Sequence, residues 1–514
     1  MLIAADGERH AIRDDLAGRA LRAGWNRSAR PLLVIAQLSD THIMDHQSPG
    51  RAEMLDRYSD PDSPLRAAIG IIGTYRPQEL FTYQVAEAMV RAVRETREAP
   101  LSGAPVDFAI VTGDATDNCQ RNELRAYIDL LDGSRVLPDS GDPRRYEGVA
   151  GPDVDDEHYW HPDDGEDLPK SRYGFPKQPG VLAAARRPFL ATGLGVPWYA
   201  VHGNHDNMIQ GTVVADGWLR DFPAGGVKFV TPPDGIDAAC ALSRFETSDA
   251  DALMEFSRGP QLTVTPDPGR APVTRAVHVR EHFRSSGTPA GHGYSRRNAD
   301  EGTAYYGFDR GVVRCIVLDT VNPHGGWQGS LDATQLGWLE SELAGCARRP
   351  VVVFSHHPLE ALVNDQRPPG TDRRILAAEL RYVLLSHPCV VAWVNGHTHI
   401  HAITAVRDEG LPGGFWQVTT ASHIDWPQQA RVIELLETDC GLAIGCTVID
   451  SAAPASYRGT AGPADLAALA RELSANDWQV REKITAAGGA GAGTAADRNA
   501  ILTIEWPRPA ATSS

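Results

Sequence analysis

Cysteine is scarce in this chain, seven residues in 514, and no two of them form a C-x-x-C pair. That excludes a zinc ribbon, and the odd, irregular set at 119, 240, 315, 346, 389, 440 and 446 is not a disulfide framework. Long apolar runs are lacking as well. No stretch approaches the roughly 18 residues that a membrane span needs, and "MLIAADGERHAIRDD" brings in charge too early for a secretory leader. The expected location is therefore the cytoplasm, with no membrane partner. Sustained Lys/Arg runs are missing too. The net charge is −17, with acidic clusters "DVDDEH" and "DDGED", so no nucleic-acid partner is expected. Those clusters lack EF-hand spacing and are read as solvated loop faces. There is no internal repeat.

What is present is an ordinary globular composition, 42% hydrophobic and 22% charged, in a chain too long for one small core. Short apolar runs ending in polar residues recur at 30–43, 106–118, 196–206, 311–320, 349–358 and 389–400. Each reads as a buried strand whose C-terminal end carries chemistry. Segments with helical spacing lie between them at 82–98, 332–347 and 371–387. Alternating buried strands and helices predict an α/β layered core, with the site on the face where the strands end. Further strands are expected within 413–437 and at 442–451, followed by a helix near 463–484. Residues 133–190 and 210–303 are rich in Gly and Pro and read as two long, loop-rich insertions over that face. The division expected is an N-terminal extension at 1–29, a main domain at 30–451 containing both insertions, and a C-terminal helical segment with a flexible tail at 452–514. Within that tail, the Ala/Gly-rich stretch 485–496 reads as a linker.

The strand ends supply Asp40 and His42, then Asp114, then Asn204 and His205, then His356 and His357, then His397 and His399. Any one of these is a weak signal. A lone Asp-x-His is common, and a Gly-Asp after a strand is usually a turn. In combination they are the carboxylate and imidazole mixture that a pair of divalent cations requires. Two cations roughly 3.5–4 Å apart need an anion between them, and Asp114 lies between the two groups of ligands in chain order. In "VNGHTHIHA" (394–402) the alternating histidines could share one face of an extended chain, and partners elsewhere have to decide between a metal site and a polar strand face.

The segments "DTH", "GDATDN", "GNHD", "SHHP" and "GHTH", in this order, resemble the calcineurin-like metallophosphoesterase superfamily. The resemblance implies a β-sandwich core flanked by helices in a four-layer αββα arrangement. It implies two divalent metal ions, Mn, Fe or Zn. Asp40, His42 and His399 would hold one, Asn204, His356 and His397 the other, and Asp114 would bridge them. His356 is preferred to His357 because it matches the family's position. The wording is similar to bacterial phosphodiesterases of this superfamily, and Asp117 stands where the purple acid phosphatase branch has a tyrosine. A metal-activated water would attack a phosphomonoester or phosphodiester of a small phosphorylated substrate. His205 is the expected proton donor to the leaving group, with Asp206 as a supporting residue that orients its ring. Asn118 could reach a phosphate oxygen or simply cap a turn. His202, His423 and His401 are expected behind the site or at the surface. A non-catalytic scaffold on the same fold is the alternative reading, and a nuclease is a weaker one.

Overall fold

The computed structural model describes residues 7–22, 24–69, 75–478, 481 and 491–506. Two large sheets form its centre. The first runs, in spatial order, Ala11–Leu16, Ala500–Ile504, Gly441–Asp450, Gln429–Thr438, Arg30–Leu38, Phe108–Val111 and Trp198–Ala200. The second runs Ala402–Arg407, Gly414–Thr419, Val390–Asn395, Val351–Phe354, Val313–Val317 and Tyr306–Arg310. In each sheet the strands that carry motif residues are mutually parallel. Their C-terminal ends therefore collect at one edge, where α/β folds place ligands.

The sheets share one apolar core, built from Ile35, Ile110 and Ile433 on one side and Val317, Phe354 and Val394 on the other. The second sheet turns its other side, with Ile316, Val353 and Trp393, toward leucines of the helices Ala333–Ala344 and Ala377–Ser386. The amphipathic helix Thr82–Glu95 contacts the first sheet at its antiparallel strands and carries the helix Pro463–Asn476 on its outer side. A buried glutamine clips the sheets together just below the site. Gln37 Nε2 donates to the Asn395 carbonyl (2.9 Å) and to Thr112 Oγ1 (3.0 Å), and its Oε1 accepts from Thr420 Oγ1 at 2.7 Å.

Two features differ from the sequence reading. Residues 210–303 contain the helices Ala238–Glu246, Arg275–His282 and Arg296–Glu301. Their Gly/Pro content falls between these short helices rather than dissolving them. The stretch 133–190 is closer to expectation, with only two short helices and two two-residue strands. Lastly, the first sheet extends past 30–451 at both ends of the chain. Ala11–Leu16 pairs in parallel with Ala500–Ile504, which pairs antiparallel with Gly441–Asp450. Segments read as an extension and a tail thus supply strands of the central sheet. The first part of the expected linker, 485–490, and the last residues of the tail, 507–514, lie outside the described residues.

Candidate metal centre

Three of the loops that carry candidate ligands leave their strands through left-handed backbone. Asp40 (φ 51°), His42 (φ 44°), Asp114 (φ 51°), His397 (φ 71°) and His399 (φ 57°) all have positive φ. This region costs an L-residue about 1–2 kcal/mol and concentrates at functional sites. Backbone bonds brace the loops against one another: Asp40 N to Gly113 O (3.2 Å), His42 N to Asp114 O (2.9 Å) and Gly396 N to His356 O (3.0 Å). Motif glycines allow the close approach. A Cβ on Gly113, itself at φ 95°, would strike the His356 ring, and one on Gly396 would strike Ser39 and Asp40.

Two groups of donors converge there. In the first, Asp40, His42, Asp114 and His399 lie together, with the two Nε2 atoms of His42 and His399 only 3.2 Å apart. In the second, Asn204 Oδ1 lies 2.8 Å from His356 Nε2 and 3.0 Å from His397 Nδ1, and those two nitrogens are 3.2 Å apart. Asp114 Oδ2 lies 3.3 Å from His356 Nε2 and 3.7 Å from His42 Nε2, so one carboxylate oxygen faces both groups. The side chains read as candidate ligands in the sequence are all brought to this one place, Asp40, His42, Asp114 and His399 in one group and Asn204, His356 and His397 in the other. Each group takes side chains from both sheets.

The tautomers show what these atoms are for. His356 Nδ1 lies 2.9 Å from the Thr112 carbonyl, His399 Nδ1 2.5 Å from Asp425 Oδ2, and His42 Nδ1 3.2 Å from Asp117 Oδ1. Acceptors on Nδ1 put the proton there and leave a lone pair on each Nε2. Lone pairs facing one another at 3.2 Å repel unless a cation or a proton lies between them. Neighbouring donors on one metal with bonds of about 2.0–2.1 Å stand about 3–3.5 Å apart, so the donor set fits two divalent ions. Without metal, protons take the place. Burial lowers His356, yet the Asp114 carboxylate outweighs it and raises the imidazole to about 9. Burial likewise opposes, and Asp40 and Asp425 overcome it, to raise His399 to about 10.

His357 is near enough to count among possible donors, but both its nitrogens are engaged, Nδ1 with Thr320 Oγ1 (2.8 Å) and Nε2 with the Trp327 carbonyl (3.0 Å). His205 stands beside the first group, its ring centroid 4.4 Å from that of His42. Its Nδ1 is 3.1 Å from both the carbonyl and the Oδ1 of Asp117, so Nδ1 carries a proton and Nε2 is left for a substrate. Burial works against the imidazolium, but Asp114 and Asp117 raise the pKa of His205 above its ordinary value.

The ring is thus oriented by Asp117, not by Asp206 as the sequence reading supposed. Asp206 Oδ1 accepts from Thr116 N and Oγ1 and its Oδ2 from Gly203 N, which makes it the brace of the Asn204 loop. Two residues went unassigned in the sequence. Asp117 links His42 to His205, and Asp425 links His399 to Arg76, whose Nε lies 3.0 Å from Asp425 Oδ1. "GDATDN" displayed Asp117 openly, whereas nothing in "SHIDW" marked Asp425. Asn118 pins loops instead of facing the site, donating to Gly50 O and accepting from Ile209 N. His401 lies apart, its Nδ1 accepting from Arg431 Nη2 at 3.0 Å.

No family model and no curated protein matches this chain. Among solved structures it is similar to a dimetal phosphatase from Danio rerio, at 14% identity and a TM-score of 0.35, over 82% of this chain and 97% of that one. It is also similar to a purple acid phosphatase from yellow lupin (Lupinus luteus) seeds, at 10% identity and a TM-score of 0.29, over 81% of this chain and 51% of that one.

Proposed function

We propose that this protein is a calcineurin-like metallophosphoesterase, hydrolysing a phosphomonoester or phosphodiester of a small phosphorylated substrate. The observation that carries this reading is the pair of donor groups, with the His42 and His399 lone pairs facing one another in the first and the Asp114 carboxylate between the two. Asp40, His42 and His399 would hold one divalent ion, Asn204, His356 and His397 the other, and Asp114 both. When bound, the pair supplies Lewis acidity toward a phosphoryl oxygen and hydroxide near neutral pH. His205 presents Nε2 to the leaving oxygen and gives it a proton, while Asp117 holds the ring and stabilises its charged form. The shared core of the two sheets and the helices against them support the layered αββα reading. No helix among the described residues is long and apolar enough to cross a membrane. All seven cysteines are free, which favours the reducing cytoplasm.

The test is hydrolysis of a panel of aryl phosphate mono- and diesters after reconstitution with Mn, Fe or Zn. Turnover that disappears in Asp114→Asn supports the proposal. Full metal loading with no turnover on any ester would leave the fold as a binding scaffold and defeat it.

A further inference from the structure

Beside Asn204, on the same loop and on the helix packed against it, lies a second cluster of buried imidazoles that the proposed reaction does not use. His202, Asp206 and His278 bring one ligand atom each to within 4.8 Å of one another, and all three are buried. His202 Nδ1 stands 3.9 Å from Asp206 Oδ2. None of the four ring nitrogens of His202 and His278 has a hydrogen-bond partner among the described residues. Buried polar atoms are nearly always paired, so four orphans in two adjacent rings, with centroids 4.8 Å apart, call for an occupant.

The chemistry of the donors says which. A neutral imidazole carries one N–H and one lone pair, so each ring can turn a lone pair toward a cation. A carboxylate has about four lone-pair positions. Three of those on Asp206 are spent on Thr116 N, Thr116 Oγ1 and Gly203 N, which leaves one on Oδ2, the oxygen facing His202. The helix Arg275–His282 carries His278 and His282 one turn apart in "HVREH". His282 Nδ1 faces the His278 carbonyl at 2.9 Å, which fixes its tautomer and leaves Nε2 buried and without a partner, as is the Tyr294 hydroxyl beside it. The charges also favour a cation. Among the described residues the charges acting on His278 are the carboxylates of Asp206 and Asp319 and the guanidinium of Arg275, whose Nε lies 3.2 Å from Asp319 Oδ2, and Asp114 adds to the acids on the His202 side.

We infer that His202, Asp206 and His278 form a third metal site, structural rather than catalytic, for a divalent ion that accepts imidazole and carboxylate donors, such as zinc. It would tie the helix Arg275–His282, from the region read as an insertion, to the loop that presents Asn204 and His205. This inference does not depend on the proposed hydrolysis. Its readout is a difference in metal content, so the two fail separately.

The test compares purified wild-type protein with His278→Gln and His278→Ala, each loaded with zinc, desalted and measured by elemental analysis. Both variants are expected to hold one equivalent fewer than wild type, whatever the wild-type total. Crystals of the wild-type protein measured across the zinc edge should show an anomalous peak among the three side chains, which keeps the idea testable if the variants do not fold. Equal metal content in folded variants and wild type, or ordinary water at that position in the map, would overturn it.

Discussion

At the scale of single residues, the candidate ligands stand out in the sequence because each sits within two positions of a motif glycine or proline or of another candidate at the end of an apolar run. Their supports do not. Asp425 reaches His399 across a loop, and Asp117 serves two rings at once, and no local pattern encodes either contact. Different outcomes are expected for the two parts of the acid. His205→Asn should lower kcat by about 10²–10⁴ with both metals retained, the usual worth of a general acid. Asp117→Asn should lower kcat and also weaken the metal held by His42, because both rings lose their anchor; outer partners of this kind are worth about 10–100-fold in affinity. Steady-state kinetics with metal titration separates these results. If Asp117→Asn has wild-type kcat and metal affinity, the tautomer argument fails.

At the scale of elements, strands and the longer helices followed their periodicity closely. The apolar run at 349–358 became Val351–Phe354, and 389–400 became Val390–Asn395. Short helices in 210–303 were hidden because each spans only two turns or so, too little for a helical period to stand out in a Gly/Pro-rich stretch. The turns after the strands carry a prediction of their own. Gly113→Ala meets two penalties, a positive φ and the His356 ring, whereas Gly103→Ala meets a similar φ (68°) with open space around it. Gly103→Ala is expected to cost about 1 kcal/mol. Gly113→Ala should cost clearly more and lose the metal held by His356. Paired thermal melts and metal analysis check this, and equal melting temperatures would remove the packing argument.

At the scale of the whole molecule, the least legible feature was the pairing of the two ends of the chain. The Thr503 hydroxyl bonds to the Arg13 carbonyl across 490 residues of sequence, and contacts of such separation leave no trace in local composition. Deleting residues from 500 onward should strip a buried strand, lower the melting temperature and expose the buried Cys446, which is opposite Ala500. Faster labelling than in the full-length chain, with the gain lost when Cys446→Ser is added to the truncation, reports it. Metal removal should also be felt globally. Five ligands held at positive φ cost, at about 1–2 kcal/mol each, a sum comparable with the ~5–15 kcal/mol net stability of a folded domain. Metal at a hundredfold excess over its Kd returns about 2.7 kcal/mol per site. Chelation should therefore lower the melting temperature and readdition restore it. An unchanged melt would mean the loops are held by the protein alone.

The division of the donors between the two sheets has a mechanical meaning. Asp40, His42, Asp114 and Asn204 belong to one sheet, and His356, His397 and His399 to the other. The metal pair proposed above would then be a clasp across the seam, and parting the sheets and releasing the ions would become a single event. Hydrogen exchange after chelation should accelerate on both sides of that seam together.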